Sequence, residues 1–333
     1  MPADGRRDLP SLGVRLPNSG PFAEPSALLS TAEHVERLGF DRVWVHDHVS
    51  WPREKLTHFA TGSLEACTDQ DPNFFESVST ASWLSGRLGR IGVGIAGLVV
   101  PLRDPRILAK QLATIDRLGG SRLVVAFAIG AIKGDFEVMG VPFERRGKLT
   151  NEYLATLRAI LGGEQPVTVE GETVSFTEGT FLPKPRGLGL WVTGSSEPGL
   201  KRAARFADGW MTVYQSTEAY AGFIARLDGL VAEQGRSMDT IATGYETYVC
   251  VAETRDEAIS IARRSLEGKF ETLEKGLEVC IIGDVDDLLE GVAAYKRSGA
   301  GHVELKFIAH SVPQLHEMVA RVAEGAGLAV PTA

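Results

Sequence analysis

Cysteine is scarce in this chain: only Cys67, Cys250 and Cys280 occur, none close to another. An odd number without a repeated spacing argues against a disulfide framework, and no CxxC or CxxH pair offers a structural zinc site. The expected compartment is reducing and cytoplasmic. Long hydrophobic runs are missing as well. Nowhere do about 18 uncharged apolar residues follow one another, so no membrane-spanning helix is expected. Arg6 and Arg7 lack the apolar stretch that an export signal places after a twin arginine. Nor is there an excess of positive charge. The 35 Lys and Arg face 43 Asp and Glu, for a net charge of −8, which excludes the basic footprint of a nucleic-acid-binding protein. GxSxG, P-loop and HExxH motifs are absent.

What is present fits a large folded core: 44% hydrophobic and 23% charged residues. No Ser-, Gly- or Pro-rich linker divides the chain, and α/β barrels routinely exceed about 200 residues as one domain. Short apolar, β-branched runs alternate with segments of helical period. The runs fall at 12–17, 42–48, 91–100, 122–129, 188–193, 209–213, 247–252 and 302–308. Most are apolar throughout, as parallel strands covered on both faces are. Helical segments fall at 25–38, 104–118, 150–161, 197–206, 217–233, 256–266, 284–298 and 312–324. Asp104-Pro105 is an N-cap followed by proline at the first helical position, and Gly119-Gly120 closes the same helix. Eight such units predict a single (β/α)8 TIM barrel across residues 1–333, with an open doubly wound sheet as the alternative. Residues 1–10 read as an N-terminal extension and 50–73 as a long loop before a helix at 74–86. Residues 166–187 predict a β-hairpin insertion over one end of the barrel.

Barrel active sites gather where strands end. The second run closes on Val45-His-Asp-His48, and strand alternation puts Trp44, His46 and His48 on one face and Asp47 on the other. His46 reads as a satisfied structural histidine; His48, followed by an open loop, reads as the functional one. Two histidines two apart also resemble a metal pair. The fifth and sixth runs, however, lead into Gly194-Ser195-Ser196 and Tyr214-Gln215-Ser216, which add no ligand, so no metal is expected. Thr193-Gly-Ser-Ser-Glu-Pro-Gly199 runs from strand through a small-residue turn into a helix. Main-chain N–H groups of Gly194, Ser195 and Ser196 would there face a bound phosphate, although the same residues also make an ordinary N-cap. Ala126–Asp135 supplies a second glycine-containing strand end without a Rossmann fingerprint. Trp51, Phe59, Phe74, Phe75, Phe181 and Tyr214 read equally as pocket lining or as packing.

Five stretches together carry a family resemblance. They are Leu12-Gly-Val-Arg-Leu-Pro-Asn18, the segment from Ala32 to His48, the segment from Pro101 to Leu118, the segment from Phe136 to Gly147, and Ala203-Ala-Arg-Phe-Ala-Asp-Gly-Trp210. With them the chain resembles the luciferase-like superfamily of flavin- and deazaflavin-dependent oxidoreductases. The resemblance implies a TIM barrel, usually a homodimer, with a cofactor ring across the strand ends. It assigns Asp47 and His48 to the cofactor and places His48 beside the ring as the catalytic residue. That pair looks like the one in the branch using coenzyme F420, a 5-deazaflavin that carries hydride. A bulge with a non-proline cis peptide is implied near Ala96, Gly97 and Leu98. Cofactor phosphate contacts are implied at Ile129 and Gly130 and at Gly194, Ser195 and Ser196. One departure matters. Sugar-phosphate dehydrogenases of that branch carry a glutamate after the fourth-strand glycine, where this chain has Ala131, so that activity is not expected.

The function implied is hydride transfer between coenzyme F420 and a small organic substrate. The alternative is a monooxygenase that uses reduced FMN delivered by a separate reductase, since both cofactors present a tricyclic ring and a phosphate. A non-catalytic flavin-binding protein and a metal-dependent barrel hydrolase stand outside that class. Neither nucleic acid nor membrane is an expected partner.

Overall fold

The computed structural model describes residues 8–50 and 73–328. The barrel is built from β1 (Ser11–Arg15), β2 (Arg42–Val45), β3 (Gly92–Val99) and β4 (Leu123–Ala128). An insertion of β5 (Val167–Glu170) and β6 (Ser175–Gly179) separates these from β7 (Gly189–Thr193), β8 (Gly209–Val213) and β9 (Ala242–Val251). After the short β10 (Ile281–Gly283), β11 (His302–Phe307) completes the set. Parallel pairings run β1-β2-β3-β4-β7-β8-β9-β11 and return from β11 to β1, so the eight-stranded barrel is closed. The open sheet is excluded.

Each of the eight expected runs overlaps one barrel strand. The seventh begins earlier than its apolar run, at Ala242, because Ala242-Thr-Gly-Tyr-Glu is too polar to look like a strand. Its first half pairs with β8 and its last residues, Val249–Val251, pair with β10, which is an annex outside the ring. Helices cover the outside, and several start on a signal the sequence carries. Asp104 accepts from the Arg106 N–H ahead of Pro105–Leu118, and Asp284 and Asp287 form a capping box at Val285–Arg297. Two short helices, Lys133–Val138 and Leu273–Val279, were not expected. No helix among the described residues is long and apolar enough to cross a membrane.

The hairpin is present, but it lies along the flank rather than over an end. The Glu152 carboxylate, on helix Arg146–Gly162, accepts from the N–H groups of Thr173 and Val174 at 2.6 and 2.8 Å and ties the hairpin tip to that helix.

Inside the barrel, Trp44 and Trp191 pack with Ala96, Val124, Ala126 and Met211. The indoles fit because glycine faces them: a methyl group at Gly94 or Gly209 would overlap Trp44 or Trp191. Gly92, Gly94 and Gly97 spell GxGxxG, yet they lie within β3 and not in a phosphate-binding turn. Trp44 Nε1 donates to His302 Nε2 at 2.9 Å, and the other His302 nitrogen meets Ser11 Oγ at 2.5 Å. Burial, reinforced by Arg42, pushes His302 down to about 3, so it is neutral.

Candidate active site

Above this aromatic layer the C-terminal strand ends enclose a cavity of about 510 Å³. Its first wall is the segment after β2. Asn18 clamps the His46 main chain, donating to its carbonyl at 2.9 Å and accepting from its N–H at 3.2 Å. His46 Nε2 meets Ser19 Oγ at 2.9 Å, while Nδ1 is buried with no partner. Burial, with Arg15, Lys306 and His48 nearby, holds His46 well below its usual range, so it too is neutral.

The next two residues diverge. Asp47 accepts from Ser77 Oγ (2.7 Å), the Val99 N–H (2.9 Å) and both terminal nitrogens of Arg103 (2.8 and 2.6 Å). Both oxygens are thus engaged in bracing β2 against β3, and Asp47 lines the cavity from that braced position. His48 lines the cavity as well, and its Nδ1 lies 3.0 Å from Asp135 Oδ2 on helix Lys133–Val138. A carboxylate on Nδ1 fixes the tautomer in which Nδ1 carries the proton and Nε2 is the acceptor. Phe74 stands edge-on to His46 and His48, at 4.7 and 5.3 Å between ring centroids.

The facing wall is flat. The Ala96–Gly97 peptide is cis, and the β3–β4 register shifts between Ala96 and Leu98. Ala96, Gly97 and Val99 line the cavity. Leu98 does not: alternation past the bulge turns it into the hydrophobic core, fully buried, which corrects its assignment to the cofactor. Ala128, Ile129, Gly130 and Ala131 continue the wall at the end of β4. Gly130 has φ +81°, and a side chain there would strike Phe136 and Val99.

At the end of β7 the turn opens onto helix Glu197–Phe206. Trp210 Nε1 donates to the Gly194 carbonyl at 2.8 Å and fixes the turn. Ser196 caps the helix, its Oγ accepting from the Gly199 N–H at 3.3 Å. Gly194, Ser196 and Gly199 line the cavity; Ser195 does not. Two guanidiniums stand beside this helix N-terminus. Arg202 Nε donates to Asn151 at 2.7 Å. Arg146 lies over the Phe143 ring at 3.8 Å, with its Nε buried and unpartnered. A positive helix end plus two guanidiniums is chemistry that can hold an anion.

The remaining wall was not expected from the sequence. Arg15, Glu246 and Lys306 line the cavity from β1, β9 and β11, with Glu304 buried beneath. A signal was available: His302, Glu304 and Lys306 alternate along an apolar strand, so all three point into the barrel. Arg146 and Arg202 gave no such signal, since a single arginine on a helix reads as surface.

Of the loop aromatics, Tyr214 lines the cavity and stacks on Tyr248 at 5.4 Å. Phe75 lines a separate depression and Phe181 packs on Phe176 in the hairpin. Trp51 and Phe59 lie outside the described residues. No three metal-ligating side chains gather among the described residues.

A half-buried cation with a buried, unused donor, an unpartnered histidine nitrogen and a flat small-residue wall fit a planar cofactor with an anionic tail. Comparison with known proteins points the same way. An uncharacterized protein of Mycobacterium tuberculosis is 27% identical over 256 residues, covering 76% of this chain and 83% of its own. An FMNH2-dependent dimethylsulfone monooxygenase of Pseudomonas fluorescens is 28% identical over 196 residues, 58% of this chain and 52% of its own. An F420-dependent secondary alcohol dehydrogenase, solved with an F420–acetone adduct, shares the fold. It superposes with a TM-score of 0.81 at 18% identity, over 96% of this chain and 99% of its own. The profile of the luciferase-like monooxygenases matches residues 12–302, and the chain belongs to that family of oxidoreductases.

Proposed function

We propose that the chain binds coenzyme F420 in this cavity and transfers hydride between it and a small organic substrate. The observation that carries the reading is the pairing, across one cavity, of a flat wall at Ala96–Gly97 with an anion site at Gly194, Ser196, Gly199, Arg146 and Arg202. The wall suits the ring and the anion site suits the phosphate. When bound, the deazaflavin supplies or accepts a hydride. The protein's own part is to orient the ring, to anchor the phosphate and to handle protons. His48, aimed by Asp135, is the cavity-facing group at the ring end. The His48 position resembles the ring-side histidine of the F420 branch, and this favours the deazaflavin.

The FMN-dependent monooxygenase is the second reading, favoured by the 28% identity to an FMNH2-dependent enzyme. Titration with F420 and FMN, oxidised and reduced, with and without oxygen, separates the two. The proposal expects F420 to bind at least about tenfold more tightly than FMN, a difference of 1.4 kcal/mol. Tight binding of reduced FMN with oxygen uptake would transfer the function to the monooxygenase reading, and binding of neither would remove both.

A further inference from the structure

Four charged side chains meet at the cavity floor. Arg15, Glu246, Glu304 and Lys306 are 4, 8, 0 and 4% exposed. Burying a charge costs several kcal/mol even after relaxation, so a cluster of four points to a use. Arg15 bridges the two carboxylates, donating from Nε to Glu304 and from a terminal nitrogen to Glu246 at 3.0 Å. The second oxygen of Glu304, Oε2, is buried with no hydrogen-bond partner. An ionised oxygen there has nothing to replace its lost hydration, which favours the protonated carboxyl. Burial pushes Glu304 up to about 8, Glu246 adding to the effect and Arg15 and Lys306 opposing it. His46, beside Arg15 and Lys306, is neutral, and the Lys306 ammonium stands over the Tyr248 ring at 4.7 Å.

We propose that Glu304 and Glu246, bridged by Arg15, hold one proton at the cavity floor, and that Glu246 hands it to the substrate. This rests on the hydride-transfer reading. Reduction of a carbonyl consumes one hydride and one proton. A bound reduced deazaflavin would supply the hydride with its electron pair to the carbonyl carbon, and the C=O π pair would move to oxygen. That oxygen takes the proton, so the ketone or aldehyde becomes an alcohol while the cofactor is oxidised. The floor is left with two carboxylates against Arg15 and Lys306, balanced in charge, and regains its proton from water through the cavity. Glu246 is the outlet because it lines the cavity, whereas Glu304 does not. The cluster supplies what Ala131, a bare methyl on the same cavity, does not. The substrate class follows: a small carbonyl compound.

Infrared spectroscopy of the unliganded full chain at pH 7, in water and after rapid transfer to D2O, tests this without cofactor or substrate. The expected result is a protonated-carboxyl band in the wild type that disappears in Glu304→Gln. In Glu246→Gln the band should weaken, because the charge that helps keep Glu304 protonated is gone, and what remains should take up deuterium at least about tenfold more slowly. Absence of the band in the wild type, its survival in Glu304→Gln, or unchanged exchange in Glu246→Gln would each overturn the proposal. If Glu304→Gln does not fold, the wild-type band and the exchange rate in Glu246→Gln still decide. A failed F420 titration with the band present would remove the cofactor reading alone, so the two failures are told apart.

Discussion

Two layers of the barrel interior lie one above the other and obey opposite rules. The lower holds Trp44, Trp191 and Met211 packed against glycine and alanine, with one neutral histidine satisfied at both nitrogens. The upper holds Arg15, Glu246, Glu304 and Lys306, equally buried, with an unpartnered carboxylate oxygen among them. Complementary shape makes the first layer stable, since close packing loses energy with every void. The second is held by charge pairing, whose Coulomb gain does little more than offset desolvation. The same strands supply both layers: β11 contributes His302 below and Glu304 and Lys306 above. The barrel therefore changes from scaffold to chemistry within two residues along one strand.

The sharpest way to break the comparison is to exchange what each layer lacks. Trp44→Ala should cost about 3–5 kcal/mol of stability, because it opens a large cavity and strips His302 of its donor. Glu304→Gln, equally buried, should cost far less near neutral pH, since it replaces a neutral carboxyl with a neutral amide of similar shape. Urea unfolding of both variants checks this. Equal losses would mean that both layers are held by packing alone.

Next in size is the rim. His48→Ala should lower turnover by about 10²–10⁴-fold while leaving cofactor affinity and stability nearly intact. His46→Ala should do the reverse, because His46 is clamped through Asn18 and Ser19. Single-turnover rate at saturating cofactor, measured with thermal stability, separates the two, and full activity in His48→Ala would end its catalytic assignment.

How far the sequence speaks follows the same division. The eight apolar runs became the eight barrel strands because strands buried on both faces have little choice of composition. The bulge at Ala96–Gly97 was legible through family resemblance, and the turn at Gly194 from its own small residues ahead of a helix. Leu98 turns into the core rather than the cavity, because a bulge shifts the alternation by a single step. Charges inside strands were passed over because an isolated Glu or Arg looks like a strand's solvent edge. Only closure of the barrel gives Arg15, Glu246 and Glu304 one another as partners, drawn from three strands far apart in sequence.

The anion site is the third test. Ser196→Asp keeps a good N-cap, so the helix should hold. It also sets a fixed negative charge on the cavity wall beside Arg146 and Arg202. Cofactor affinity should fall at least about tenfold, or 1.4 kcal/mol. Unchanged affinity in the folded variant would move the phosphate elsewhere.

The smallest effect sharpens the comparison through pH. His302, in the lower layer, is pushed down to about 3, so below the usual histidine value the unfolded chain binds a proton that the folded one refuses. His302 therefore makes stability fall as pH drops from about 6.5 toward 3, and His46 acts in the same direction. Glu304, in the upper layer, is pushed up to about 8, so the folded chain keeps a proton that the unfolded one releases near 4.5. It makes stability fall as pH rises from about 4.5 to 8. One proton corresponds to a slope of at most about 1.4 kcal/mol per pH unit. Melting temperatures across this range should fall at both ends in the wild type. Glu304→Gln should flatten the alkaline arm and leave the acid arm, while His302→Gln should do the opposite. If Glu304→Gln leaves the alkaline arm unchanged, Glu304 is already ionised in the folded protein and the upper layer holds no proton to give.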